Sequence, residues 1–231
     1  MLEQLKEKVC RANLSLVEQG LVTQTWGNAS GIDRATGYVV IKPSGVSYEG
    51  MEPHHMVVVD LSGNVIEGSL HPSTDTPTHL ELYKTFNKIG GIVHTHSLYA
   101  TSWAQAGRDI PAYGTTHADY FNGDIPCARD LTEEETKGEY EKNTGTVIIH
   151  SIVERRINMD DMPGVLCKHH GVFTWGEDVD KAVYHAAVIE QVAKMAALTE
   201  LLNNRATPVP DYVLKKHYER KHGKHAYYGQ D

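Results

Sequence analysis

The chain has 231 residues, 40% of them apolar, which suffices for one domain with a sizeable core. Its formal charge of −8 at pH 7 excludes a protein built around nucleic acid, which needs a broad basic surface, so any anionic ligand must be small and locally held. No run approaches the roughly 18–20 apolar residues of a membrane span, and the opening MLEQLKEKVC lacks the apolar stretch of a secretion signal, so no membrane partner is expected and the expected location is cytoplasmic.

Residues 2–19 place Leu2, Leu5, Val9, Ala12, Leu16 and Val17 on one helical face, with Gly20 as a C-cap. Between Leu21 and Glu67 the runs VTQTW, YVVIK, MVVVD and NVIEG read as short strands, broken by turns such as Ser62-Gly63-Asn64, and predict a largely antiparallel meander. Thr76 and Pro77 form an N-cap and N1 pair for a helix that Gly90-Gly91 stops. A strand over 92–96 and a helix over 98–106 follow. The Thr132-x-x-Glu135 capping box opens a helix over 132–142, and another is expected over 145–156. Strands around VLCK and VFTW precede the longest amphipathic helix, 179–202. No repeat or linker divides the chain, so 1–231 is one domain, and strands mixed with helices outside a strict βαβ rhythm predict a mixed α/β layer fold. Cys10, Cys127 and Cys167 lack any C-x-x-C pairing and read as reduced core residues; the Asn28-Ala29-Ser30 sequon has no consequence without secretion.

In GGIVHTHS, a strand would aim His94 and His96 to the same side, half of a metal site, although two exposed strand-end residues would look the same. The pair His169-His170 before Gly171 offers a third imidazole, and three neutral imidazoles with an open position are the usual layout of a catalytic zinc. Spacing alone leaves open which of the two contributes, and whether the sequence is only a turn.

The motifs TWGNASG (25–31), IKPSGV (41–46), PSTDTPTH (72–79), GGIVHTHS (90–97), GTTHADYF (114–121), HGVFTWG (170–176) and KHGKHAYYGQ (221–230) together resemble the class II aldolase/epimerase family, in order along the whole chain. The resemblance implies a single-domain α/β fold, with a central, mostly antiparallel sheet flanked by helices. It implies one divalent ion per subunit, zinc first and manganese second, on His94, His96 and His170, the histidine immediately before the glycine, with Asp75 as the nearby carboxylate. For the epimerase members it implies inversion at C4 of L-ribulose 5-phosphate to give D-xylulose 5-phosphate. C3–C4 opens to an enediolate and glycolaldehyde phosphate, the aldehyde turns, and the bond reforms on its other face. No G-x-G-x-x-G follows a strand, in keeping with a route free of nicotinamide.

By the same resemblance Gly27, Asn28, Lys42, Ser44, Gly45, Ser73 and Thr74 hold the phosphate, and Thr115, His217 and Arg220 also touch substrate. Thr74 departs from the family's Ser-Ser and adds a methyl group there. Two proton carriers, one per aldehyde face, are implied at Asp119 and Tyr228. The cations His217, Arg220, Lys221, His222, Lys224 and His225 around the tail would lower a tyrosine pKa. A cyclic homotetramer is implied, with sites at subunit interfaces and the tail, 211–231, lent to a neighbour. The resemblance also implies a place in pentose catabolism, where arabinose routes and ascorbate or gulose-type routes share these motifs. Two rivals are an aldolase acting on another ketose phosphate, in which glutamate usually replaces Asp75, and a non-catalytic binding module like the family's cytoskeletal relatives.

Overall fold

The computed structural model describes residues 2–228. Eight strands form one sheet: β1 (Asn28–Asp33), β2 (Tyr38–Ile41), β3 (Val57–Val59), β4 (Val65–Glu67), β5 (Gly91–Thr95), β6 (Cys127–Ala128), β7 (Gly164–Cys167) and β8 (Gly171–Gly176). Their order is β4-β3-β2-β1-β5-β8-β7-β6, and every neighbouring pair is antiparallel except β6 with β7. The helices are α1 (Glu3–Glu18), α2 (Thr76–Thr85), α3 (Leu98–Ala106), α4 (Thr115–Ala118), α5 (Glu133–Lys137), α6 (Tyr140–Glu154), α7 (Val179–Leu202) and α8 (Asp211–His222). This is the expected fold.

Both faces of the sheet are covered, which is why β2, β3 and β7 read as near-continuous apolar runs. Val39, Val57, Val59, Ile92, Phe173 and Trp175 point to one face, where Leu80 and Tyr83 of α2 and Ile148 of α6 complete a core. Their alternates Val40, Val58 and Val93 point to the other, against Val9 and Leu16 of α1 and Val183 of α7. A third core gathers Trp103 of α3, Phe121 and Ile189.

Helices α3 and α7 keep their expected bounds, but four local expectations are corrected. VTQTW is a turn rather than a strand, and the strand begins after it at Asn28. Asp75, not Thr76, is the N-cap residue of α2, Thr76 Oγ1 instead donates to Ser73 O at 2.5 Å, and the helix ends at Thr85 with Phe86 as its C-cap, ahead of Gly90-Gly91. Gly138 ends the helix opened by the Thr132–Glu135 capping box, so the next starts at Tyr140 rather than 145. The tail holds an unexpected helix, α8, in which only Tyr218 is buried, so almost no apolar periodicity announces it. The last three tail residues, 229–231, lie outside the described residues. No helix among the described residues is long and apolar enough to cross a membrane, and Cys10, Cys127 and Cys167 are free and buried.

Candidate functional site

At the end of β5, His94 is buried and His96 follows just beyond the strand; their Nε2 atoms are 3.0 Å apart. His170 closes the trio from the β7–β8 turn, and ligand atoms of the three lie within 4.8 Å of one another. Gly171 permits this approach, since a Cβ there would lie 2.6 Å from Thr95 O and against both the His94 and His96 rings. The adjacent His169 is exposed in a left-handed conformation (φ +59°), with Nδ1 2.7 Å from Asp130 Oδ1, so the turn separates the neighbours that spacing could not.

Burial pushes His94 down to about 3 and lowers His96 and His170 as well, so all three rings are neutral and can offer lone pairs. His94 Nδ1 donates to Val172 O at 3.0 Å, which fixes the tautomer and leaves Nε2 as the acceptor that faces His96 Nε2. The side chain of Phe173 stacks on the His94 ring at 4.1 Å. Among the described residues Asn28 Oδ1 and His170 Nδ1 are buried with no hydrogen-bond partner, as expected of a site that a ligand completes. The residues therefore fit a divalent metal ion.

The trio opens into a cavity of about 560 Å³ lined by the expected Gly27, Asn28, Lys42, Ser44, Gly45, Ser73, Thr74 and Asp75. Asn28 donates to Ser73 Oγ at 3.0 Å and to Asp75 Oδ2 at 2.7 Å, holding the carboxylate beside the histidines. Burial raises the Asp75 carboxyl, and the Asn28 amide hydrogen bond works against it by favouring the carboxylate. The two small-residue loops are tied by Ser44 N to His71 O at 2.9 Å and Ser73 N to Lys42 O at 3.0 Å. Lys42 is only 2% exposed and burial pushes its pKa down to about 8. It donates to two backbone carbonyls and has no ion pair among the described residues. A buried cation without a counter-ion beside a cavity is suited to an anion.

Sequence reading assigned no role to Trp26, Tyr140 or Glu141, which also line this cavity. Trp26 belongs to TWGNASG, a motif legible in the sequence. Tyr140 and Glu141 cannot be read there, because the expected continuous helix hides the break at Gly138 after which the new helix sets them on the cavity wall.

Asp119, Thr115, His217, Arg220 and Tyr228 do not line the cavity. Asp119 follows α4, of which Thr115 is the first residue, and docks on α8. Arg220 grips its carboxylate at 3.0 and 2.7 Å, His217 Nδ1 lies 2.9 Å away and Lys221 Nζ 4.0 Å away. Burial raises the carboxyl, but the Arg220 and His217 hydrogen bonds, with the Lys221 charge, hold it below the usual range. Arg220 and Lys221 also lie over the Tyr228 ring, at 4.8 and 4.4 Å from its centroid. Asp119 and Tyr228 thus share one cationic cluster within one chain, while Lys224 and His225 are exposed.

A profile of the Class II Aldolase and Adducin N-terminal domain matches residues 7–197. The chain is 56% identical to L-ribulose-5-phosphate 4-epimerase UlaF of Salmonella paratyphi C (strain RKS4594) over 229 residues, 99% of this chain and 100% of that one. Among solved structures it is similar to an L-fuculose 1-phosphate aldolase, with a TM-score of 0.78 and 26% identity over 94% of this chain and 95% of that one. Its fold is also that of YgbL from Klebsiella pneumoniae, a putative aldolase/epimerase/decarboxylase, with a TM-score of 0.74 and 22% identity over 94% and 99% of the two chains.

Proposed function

The chain belongs to the class II aldolase family, and from that premise we propose that it is an L-ribulose-5-phosphate 4-epimerase, inverting C4 to give D-xylulose 5-phosphate by opening and reforming C3–C4. The observation that carries this reading is one cavity containing both a trio of neutral imidazoles and a buried, counter-ion-free lysine among small-residue loops.

His94, His96 and His170 hold a divalent ion, zinc in the first instance and manganese in the second, with Asp75 beside it. When bound, that ion supplies Lewis acidity toward the substrate's oxygens as C3–C4 opens. The chain's own residues do the rest. Lys42, Asn28, Ser73 and Thr74, with Gly27 and the Ser44-Gly45 backbone, keep the phosphate in place while the aldehyde turns. Asp119, held ionised by Arg220 and His217, takes the proton from the C4 hydroxyl of one epimer. The C3–C4 electron pair moves toward C2, leaving an enediolate and glycolaldehyde phosphate. After rotation the pair returns to the other face, and Tyr228 gives its hydroxyl proton to the new C4 alkoxide; the reverse reaction exchanges the two roles.

Because the Asp119–Tyr228 cluster lies outside the cavity of its own chain, it acts in a neighbour's site, with Thr115, His217 and Arg220 touching substrate from that side. The assembly is a homotetramer with one site per interface. Its place is the cytoplasm, where three unpaired thiols persist.

The aldolase reading is disfavoured by Asp75, one methylene shorter than the glutamate usual in the aldolases and already held by Asn28. Incubation with L-ribulose 5-phosphate, following D-xylulose 5-phosphate and free glycolaldehyde phosphate separately, tests the choice. Epimer without accumulating aldehyde is expected; aldehyde as the main product would contradict the reading.

A further inference from the structure

Tyr48 is absent from the cavity wall, yet the parts of the anion cradle are tied to it. Its ring, 6% exposed, lies 4.8 Å from Lys42 Nζ, and its hydroxyl donates to Gly27 O at 2.8 Å. Lys42 Nζ in turn donates to Val46 O at 2.8 Å and Pro43 O at 3.2 Å, closing the loop that carries Ser44 and Gly45. Gly27, in a left-handed conformation (φ +101°), is pressed on β5 so closely that a Cβ would lie 2.7 Å from His94 O. One side chain therefore links the lysine, its loop, the Gly27 wall and the strand that carries the first histidine of the trio.

The partner chosen for Lys42 has a chemical consequence. A carboxylate would stabilise a buried ammonium but would also neutralise it and compete with any incoming anion. The face of a phenol ring stabilises the charge through its quadrupole and leaves that charge available. Two of the ammonium's three N–H donors are spent on carbonyls, so one remains for a ligand.

We propose that Tyr48 is a positioning residue for the substrate phosphate: its ring directs the Lys42 ammonium and its hydroxyl fixes the Gly27 peptide, so that both meet the anion already in place. This rests on reading the cavity as a phosphate site. The cost of ordering a lysine and two loops is then met in the folded protein rather than on binding.

The test uses the metal-loaded, full-length protein, titrated with inorganic phosphate in a calorimeter, together with KM and kcat for L-ribulose 5-phosphate. Tyr48→Leu, which removes the ring and the hydroxyl, should weaken phosphate about tenfold and raise KM in proportion, with kcat and metal content little changed. Tyr48→Phe, which keeps the ring, should weaken phosphate roughly threefold and stands in should the leucine variant not fold. Wild-type-like phosphate affinity and KM in a folded Tyr48→Leu, or in Tyr48→Phe where only that variant folds, would overturn the proposal alone. Failure of the wild-type protein to bind phosphate, or unchanged binding in Lys42→Met, would overturn the phosphate reading and the proposal with it.

Discussion

His94 illustrates how much one position must satisfy: a buried strand slot, a fixed tautomer through Val172 O, a stacked Phe173 and an acceptor Nε2 turned toward that of His96. The H-x-H alternation is legible in sequence; spacing leaves the third imidazole open between His169 and His170, the family motif points to His170, and the turn holds His169 apart at positive φ. His96→Ala should lose metal and turnover together, measured as metal content per chain alongside the epimerisation rate. Asp75→Glu should raise aldehyde release relative to epimer, because a carboxylate one methylene longer reaches toward the enediolate; an unchanged product ratio would count against that role. Lys42 adds a pH dependence. Its pKa is depressed from 10.5 to about 8 by burial, so phosphate affinity should fall as pH rises past about 8, approaching tenfold per pH unit as the ammonium is lost. For stability the sign is opposite: between about pH 8 and 10.5 the unfolded chain binds the extra proton, so this group's contribution favours folding more as pH rises.

At the scale of elements, strands with two buried faces and the long α7 were readable because continuous apolar runs and helical periodicity leave few alternatives. β1 was misplaced because NASGID carries polar and small residues where a core strand ordinarily carries valines. Its polar positions have uses: Asn28 holds Ser73 and Asp75, and Ser30 Oγ lies 2.7 Å from His79 Nδ1 and 2.9 Å from Tyr83 OH. The strand's start is further secured from α1, where buried Asn13 accepts from Ala29 N at 2.8 Å and donates to Ala29 O at 3.2 Å. Asn13→Ala should therefore cost roughly 2–4 kcal/mol, since two backbone groups lose their partner in a dry interior. A chemical-denaturation midpoint measures it. α8 escaped sequence reading for the opposite reason, being held by polar contacts, among them Tyr218 OH to Asp161 Oδ1 at 2.8 Å and the clasp on Asp119.

At the scale of the whole molecule, the metal trio with its anion cradle and the Asp119–Tyr228 cluster occupy separate places on one chain. No sequence pattern conveys that separation, because it depends on where the fold sets α4 and α8 relative to β5 and the β7–β8 turn. Tyr228→Phe, with the ring retained, should leave metal content and assembly intact and lower epimerisation by roughly 10²–10⁴-fold. Since Asp119 and Tyr228 share a cluster, mixing Asp119→Asn with Tyr228→Phe subunits should recover nothing: every cluster would lack one carrier. The decisive measurement mixes His96→Ala subunits, which keep the cluster, with Asp119→Asn subunits, which keep the metal trio, and follows D-xylulose 5-phosphate formation. Random cyclic tetramers should pair an intact trio with a neighbour's intact cluster at about a quarter of interfaces, restoring about that fraction of wild-type activity; no recovery in verified mixed tetramers would contradict a site assembled from two chains.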